Sequence, residues 1–272
     1  MTNELGQSLA SLVSAAIAAG EVTLEIRQRL DSWEYKADGS PVTAADRAAE
    51  DLILGRLAEL DPGTRVVAEE RIASGDNTKP IAGERFYLVD ALDGTREFVN
   101  RRSEYTVNIA LIEGGIPTTG VVIAPALGEG FAADVDGAVR FRMAAGTATG
   151  IERIEAREPQ ASIDVLASLS HINPETEEYL QRFAIHQWLA YGSSLKFCRI
   201  AEGIADFYPR LGRTMEWDIA AGDAILRRAG GSVRTLDGQP MRYGKCSGVT
   251  DAPFANPHFL AFGKWPQDRL PF

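Results

Sequence analysis

The chain has 272 residues, of which 45% are hydrophobic and 24% charged, enough apolar side chains for one large domain or two smaller ones. Its 28 basic and 38 acidic side chains leave a formal net charge of −10, which argues against polymeric nucleic acid as a partner but accommodates a small anion whose charge is met by cations. Cys198 and Cys246 form neither a CxxC nor a zinc-like spacing, so reduced thiols without a disulfide are expected.

The N-terminal stretch LASLVSAAIAAG is apolar and small, but no Lys or Arg precedes it and the first basic residue is Arg27, unlike a secretion signal. The stretch is too short to span a bilayer, so no transmembrane segment is expected. Leu5, Leu9, Leu12, Val13, Ala16 and Ile17 follow the spacing of an amphipathic helix packed on the body of the protein. After a loop from Lys36 to Pro41, Thr43 and Asp46 have the spacing of a capping box that opens a second helix running to about Leu60. Capping and the helix dipole are by themselves sufficient reason for Asp46.

Val66 to Ala68 read as a short strand ending on Glu69 and Glu70, followed by a polar, glycine-rich flap over residues 71–85. The next stretch, FYLVDALDGTREFVNRRSEYTVNIALI, carries the densest chemistry. Phe86 to Val89 read as a buried strand with Asp90 at its carboxyl end, where open α/β sheets present ligand groups. Asp93 comes three residues later; Gly94 permits close backbone approach, and Thr95 opens a short helix whose free N–H groups face an anion. Asp90, Asp93 and the carbonyl of Leu92 offer the hard oxygens that Mg²⁺ prefers. An acidic turn between strand and helix is the plainer alternative. Tyr105, Val107, Ile109 and Leu111 then alternate as a strand, EGG turns, and GVVIA returns in a mixed sheet.

From about Arg153 the pattern IDVLAS, PETEEYLQRF, HQWLAY, SLKFCRIAEG, ADFYPRL alternates strand and helix. This predicts an α+β metal-binding half at 1–152 and an α/β half at 153–272 that completes the active-site cleft. The last helix, WDIAAGDAILRRAGG, has Asp218 at its amino end, where an N-cap role suffices, and Gly230 with Gly231 as its stop.

VAEER, LVDALDGTREF and EWDIAAGDA, in that order and separation, resemble the inositol-monophosphatase superfamily of magnesium-dependent, lithium-inhibited phosphatases over nearly the whole chain. Within it, SPVTAAD, EYTVNIALI, SLSH, GSSLKFC and YPR followed by TMEWD are most similar to the bacterial 3'(2'),5'-bisphosphate nucleotidases. The resemblance implies a layered αβαβα sandwich of the sugar-phosphatase type, α+β and α/β with mixed sheets. It implies removal of the 3'-phosphate from a small-molecule nucleotide bisphosphate, adenosine 3',5'-bisphosphate, by direct attack of a metal-activated water.

The same resemblance implies that Glu69, Asp90, Asp93, Asp218 and the Leu92 carbonyl bind Mg²⁺, and that Thr95 with Glu69 and Asp46 orients the water. Asp93, Gly94, Thr95 and Asp218 are implied on the substrate. Lys196 and Arg210 are candidates for its second phosphate and His171 for its base, although surface cations and a satisfied polar histidine are the ordinary alternatives. Ala91 departs from the pattern, because the family usually has Pro there, and the change frees φ and restores an N–H beside Leu92. Three other readings compete: an inositol monophosphatase, a haloacid-dehalogenase-like phosphatase with a nucleophilic Asp, and a non-catalytic nucleotide or metal sensor. The two residues between Asp90 and Asp93 disfavour the second. A cytoplasmic location is expected, with peripheral contact to the inner membrane and an oligomeric state both left open.

Overall fold

In the computed structural model, which describes residues 5–29, 33–35, 41–77, 83–168, 174–245 and 252–272, the apolar N-terminal pattern continues into one long helix, α1 (Gln7–Gln28). By length and composition alone α1 would cross a bilayer, so the sequence argument from shortness fails. Its packing is what places it. Half of its most apolar stretch is buried inside the protein, and Leu9, Leu12, Val13, Ala16 and Ile17 belong to a hydrophobic core cluster.

A two-stranded ribbon, β1 (Glu34–Tyr35) with β2 (Pro41–Val42), leads into α2 (Ala44–Leu60). After β3 (Arg65–Ala68) the chain forms a short helix, α3 (Glu69–Ala73), where a strand end and a flap are expected. Residues 78–82 of the expected flap lie outside the described residues, as do His171 and Cys246. Then come β4 (Phe86–Asp93), α4 (Thr95–Val99), β5 (Thr106–Glu113) and β6 (Ile116–Ala124). β7 (Glu129–Asp134), β8 (Gly137–Ala144) and β9 (Thr147–Arg153) follow. The later chain supplies β10 (Ile163–Ser168), α5 (Pro174–Leu180), β11 (Ile185–Tyr191), α6 (Leu195–Ala201) and β12 (Phe207–Arg210). It ends with α7 (Glu216–Arg228), β13 (Ser232–Thr235) and β14 (Phe259–Phe262).

Strands β3 to β9 form one sheet in chain order, with β3 parallel to β4 and the later neighbours antiparallel. The second sheet runs β11-β10-β12-β14-β13 and is also mixed. Period-two alternation sorts the faces of the first sheet. Tyr87, Val89, Ile109, Val121 and Phe141 share a core with α1 and α2. Phe86, Leu88, Ala110, Ile112 and Val122 share another with α6 and α7. Leu180 of α5 joins Val165, Phe207 and Leu260 on the outside of the second sheet. The layers are therefore helix, sheet, helix, sheet, helix, as the motif resemblance implies. α7 sits low on the first sheet because β6 offers it Gly120, where a Cβ would stand 2.4 Å from the carbonyl oxygen of Ala221. Cys198 is a buried free thiol.

Candidate active site

β4 does not stop at Val89. It runs on to Asp93 through a bulge, in which Asp90 pairs with Asn108 of β5 and Asp93 with Thr106, three steps on one strand against two on the other. In an unbroken strand, residues three apart point to opposite faces. The extra residue reverses that parity and turns both carboxylates toward α7. The N–H of Leu92, inside the bulge, donates to Oδ1 of Asp90 at 3.0 Å.

Glu69 is the first residue of α3. The turn that presents it is capped by Glu50 of α2, a buried carboxylate that accepts the N–H groups of Glu70 at 2.8 Å and Arg71 at 3.0 Å. These bonds are why a helix forms where a flap is expected. Burial pushes Glu50 up to about 7, with the nearby Glu70 adding to the shift and its N–H opposing it. Sequence reasoning missed Glu50, although it stands four residues after Asp46, on the same face of the helix.

Asp218 is the third residue of α7 rather than its N-cap, and its carboxylate accepts the N–H of Met215 at 2.7 Å. The Ser194 hydroxyl donates to the Asp218 carbonyl. One carboxylate oxygen each from Glu69, Asp90 and Asp218 lies within 4.8 Å of the other two. Burial raises Asp90 well above the usual carboxylate range, and Glu69, Asp93 and Asp218 push it the same way. Asp218 is raised by burial and then by Asp93 and Glu69. Asp93, which accepts the Ser194 N–H at 2.9 Å, is raised by burial to about 6 against the pull of Lys196. Buried carboxylates that repel one another, offering oxygen alone, are the donor set of a hard divalent cation.

Gly94 has φ +93°, and a Cβ there would meet Oγ of Ser193 at 2.4 Å. That oxygen lies 2.9 Å from the carbonyl of Asp93 and 3.0 Å from that of Glu104. Thr95 opens α4, its hydroxyl placed to donate to Oδ1 of Asp46 at 3.1 Å or to the Leu92 carbonyl at 3.3 Å. Oδ2 of Asp46 accepts both the N–H and the hydroxyl of Thr43 at 2.7 Å. Asp46 therefore caps α2, as its sequence position suggests, and also reaches Thr95.

Asp93, Gly94, Thr95, Lys196, Arg210 and Asp218 line one cleft of about 270 Å³. Asp46 and Leu92 connect to it through Thr95, and Glu69 and Asp90 through Asp218. Lys196 is buried, donates from Nζ to the Ser193 carbonyl at 2.8 Å and lies over the Tyr208 ring at 5.2 Å; burial lowers it to about 8. Arg210 donates to the Arg213 carbonyl at 3.0 Å, and its Nε is buried without a hydrogen-bond partner among the described residues. Arg96, Arg213 and Tyr208 also line the cleft; Arg96 and Tyr208 stand inside the DGTREF and YPR motifs, but sequence reasoning gave none of the three a role.

The model of the inositol monophosphatase family matches residues 5–261. Over 224 residues the chain is 42% identical to the 3'(2'),5'-bisphosphate nucleotidase CysQ of Escherichia coli (strain K12), covering 82% of this chain and 86% of that one. It is likewise 42% identical over 243 residues to CysQ of Salmonella typhimurium, with 89% and 94% covered. The crystal structure of CysQ from Bacteroides thetaiotaomicron, described as a bacterial member of the inositol monophosphatase family, matches with a TM-score of 0.76 at 33% identity, covering 93% of this chain and 96% of that one. With its layered fold, its acidic trio and a match that spans both sheets, the chain belongs to the inositol monophosphatase family.

Proposed function

We infer that the chain is a 3'(2'),5'-bisphosphate nucleotidase, a phosphoric monoester hydrolase, and assign it adenosine 3',5'-bisphosphate as substrate, with AMP and inorganic phosphate as products. Similarity to the CysQ enzymes over most of the chain supports the activity. The observation that carries the substrate assignment is the meeting of the Glu69, Asp90 and Asp218 carboxylates with a cleft that also holds Lys196 and Arg210. A nucleotide with two phosphates has one group for each end of that arrangement. Inositol 1-phosphate, the substrate of the rival reading, has no second phosphate for the cations.

Glu69, Asp90 and Asp218, with Asp93 and the Leu92 carbonyl as further oxygen donors, suit Mg²⁺, a small hard ion. The chemistry supplied by such ions when bound is Lewis acidity, which makes water a better nucleophile and offsets phosphoryl charge. The chain's own groups do the rest. The Thr95 hydroxyl, with its proton directed at Asp46, turns its lone pairs outward to accept from a water and so orients it. Glu69 shares that task from the other side, and the N–H groups of Gly94 and Thr95 bind phosphoryl oxygens. The attack is direct, so no phosphorylated carboxylate forms.

Phosphate release from adenosine 3',5'-bisphosphate and from inositol 1-phosphate, each with and without Mg²⁺, tests this reading. Mg²⁺-dependent release from the nucleotide in clear preference is expected. Preference for the inositol ester would shift the assignment, and no release from either would favour a sensor. Acid-quenched mass spectrometry during turnover is expected to show unmodified protein; an added phosphoryl mass at Asp90 or Asp93 would mean covalent catalysis.

A further inference from the structure

β5 carries two polar side chains with no role so far. Its face toward α7 reads Thr106, Asn108, Ala110, Ile112, and the last two are ordinary core residues. Thr106 and Asn108 are as buried as they are, at 0% and 1% exposure. Yet among the described residues Oγ1 of Thr106 and both amide atoms of Asn108 have no hydrogen-bond partner. A buried amide left without partners is destabilising, and leucine, of nearly the same shape, would fill the position without that cost.

The strand register says what these groups stand against. Asn108 pairs with Asp90 and Thr106 with Asp93, and directly paired residues project from the same face with Cβ atoms roughly 4.5–5.5 Å apart. Asp90 accepts from the Leu92 N–H, and an ionised carboxylate has about four acceptor sites to satisfy. Carboxylates that ligate metals are themselves held by outer hydrogen bonds, which fix their orientation.

We propose that Asn108, with Thr106 beside it, is a positioning residue: its amide N–H donates, directly or through one buried water, to the Asp90 carboxylate when the acidic cluster holds its cation, and Thr106 does the same for Asp93. This rests on the reading that the cluster binds a divalent cation.

Titration calorimetry with Mg²⁺ alone on the full chain tests it, with thermal melting of the chelator-treated protein as a second readout. Asn108→Leu is expected to weaken Mg²⁺ binding roughly 10–100-fold, while the chelated variant melts no lower than the parent because an orphaned amide is gone. Asn108→Ser keeps a donor and leaves room for water, so its affinity is expected to stay near the parent's. Unchanged affinity in Asn108→Leu would overturn the proposal. Equal weakening in the Leu and Ser variants would also overturn it, since packing rather than hydrogen bonding would then be the cause. If Asn108→Leu does not fold, Asn108→Ala takes its place under the same criteria. Asp90→Asn separates the two readings: parent-like affinity there sinks the cation assignment itself, whereas weakening there with none in Asn108→Leu sinks only the positioning role.

Discussion

The hydroxyl of Thr95 lies 3.1 Å from Oδ1 of Asp46, so the residue that caps α2 also reaches the hydroxyl that opens α4. Thr95→Val keeps the shape and removes the hydroxyl. Turnover is expected to fall by roughly 10²–10⁴-fold, the usual contribution of a positioned proton-handling group, with Mg²⁺ affinity and melting temperature close to the parent's. Steady-state kinetics beside calorimetry decide it, and parent-like turnover would take Thr95 out of the chemistry.

Asp90→Asn and Asp93→Asn are expected to abolish most activity and leave the fold intact. Without metal, burial and like charges keep Asp90 and Asp218 protonated far above the ordinary range, and Asp93 up to about 6. The folded state therefore holds more protons than the unfolded chain above about pH 4. Stability from these groups is full below that pH and is lost as pH rises through the folded values. The chelated parent should thus melt at progressively lower temperature as pH rises, and Asp90→Asn should flatten the decline. An equally steep decline in the variant would contradict this.

Glu50 titrates at about 7 in the folded protein against an ordinary 4.5, so its contribution likewise fades across that interval as pH rises. Glu50→Gln lacks this titration. The melting difference, parent minus variant, is expected to shrink between those two values. Mg²⁺ affinity is expected to fall as well, because the amide presents a donor to one of the two N–H groups, those of Glu70 and Arg71, that hold the turn presenting Glu69. Parallel melting curves would show that Glu50 is not the titrating group.

Gly94→Ala forces a Cβ against Ser193 at a positive φ. The backbone term alone costs about 1–2 kcal/mol, and the overlap adds to it. Ser193→Ala in the same chain is expected to recover part of the loss, which denaturant melts of both singles and the double will read. Strict additivity would mean the two side chains do not meet.

A cation contacting the non-reacting phosphate contributes about 1.5–3 kcal/mol as a charge-assisted hydrogen bond. Lys196→Ala and Arg210→Ala are therefore expected to impair hydrolysis of adenosine 3',5'-bisphosphate more than that of adenosine 3'-monophosphate. The ratio of kcat/KM on the two substrates is the measurement. Equal proportional losses would assign both cations to the fold or to the reacting phosphate.

The succession of strands and helices was legible in the sequence because alternation and helical spacing are local, as in β5 and α7, whereas their stacking into layers was implied by the motif resemblance alone. The individual motifs were legible too, since Asp, Gly and Thr stand at diagnostic intervals in DALDGT. What escaped was non-local. Glu50 is silent until α3 is folded against α2, and the end of β4 was misplaced because a bulge is set by the partner strand. Thr106 and Asn108 look like ordinary strand residues until the register sets them opposite two acids. α1 was undercounted because its polar end, through Glu21 and Arg27, still satisfies helical geometry after the apolar pattern has ended.

The extra residue in β4 also gives this segment a tolerance of its own. Replacing Ala91 leaves the chain the same length, so both acids still point the same way. Removing either Ala91 or Leu92 takes out the bulge and sets the two acids two residues apart, a spacing at which strict alternation keeps both on the α7 face. What such a deletion removes is the bulge itself, with the Leu92 N–H that holds Oδ1 of Asp90 and the Leu92 carbonyl beside the Thr95 hydroxyl, so its damage should fall on how the oxygens are held and not on which face they occupy.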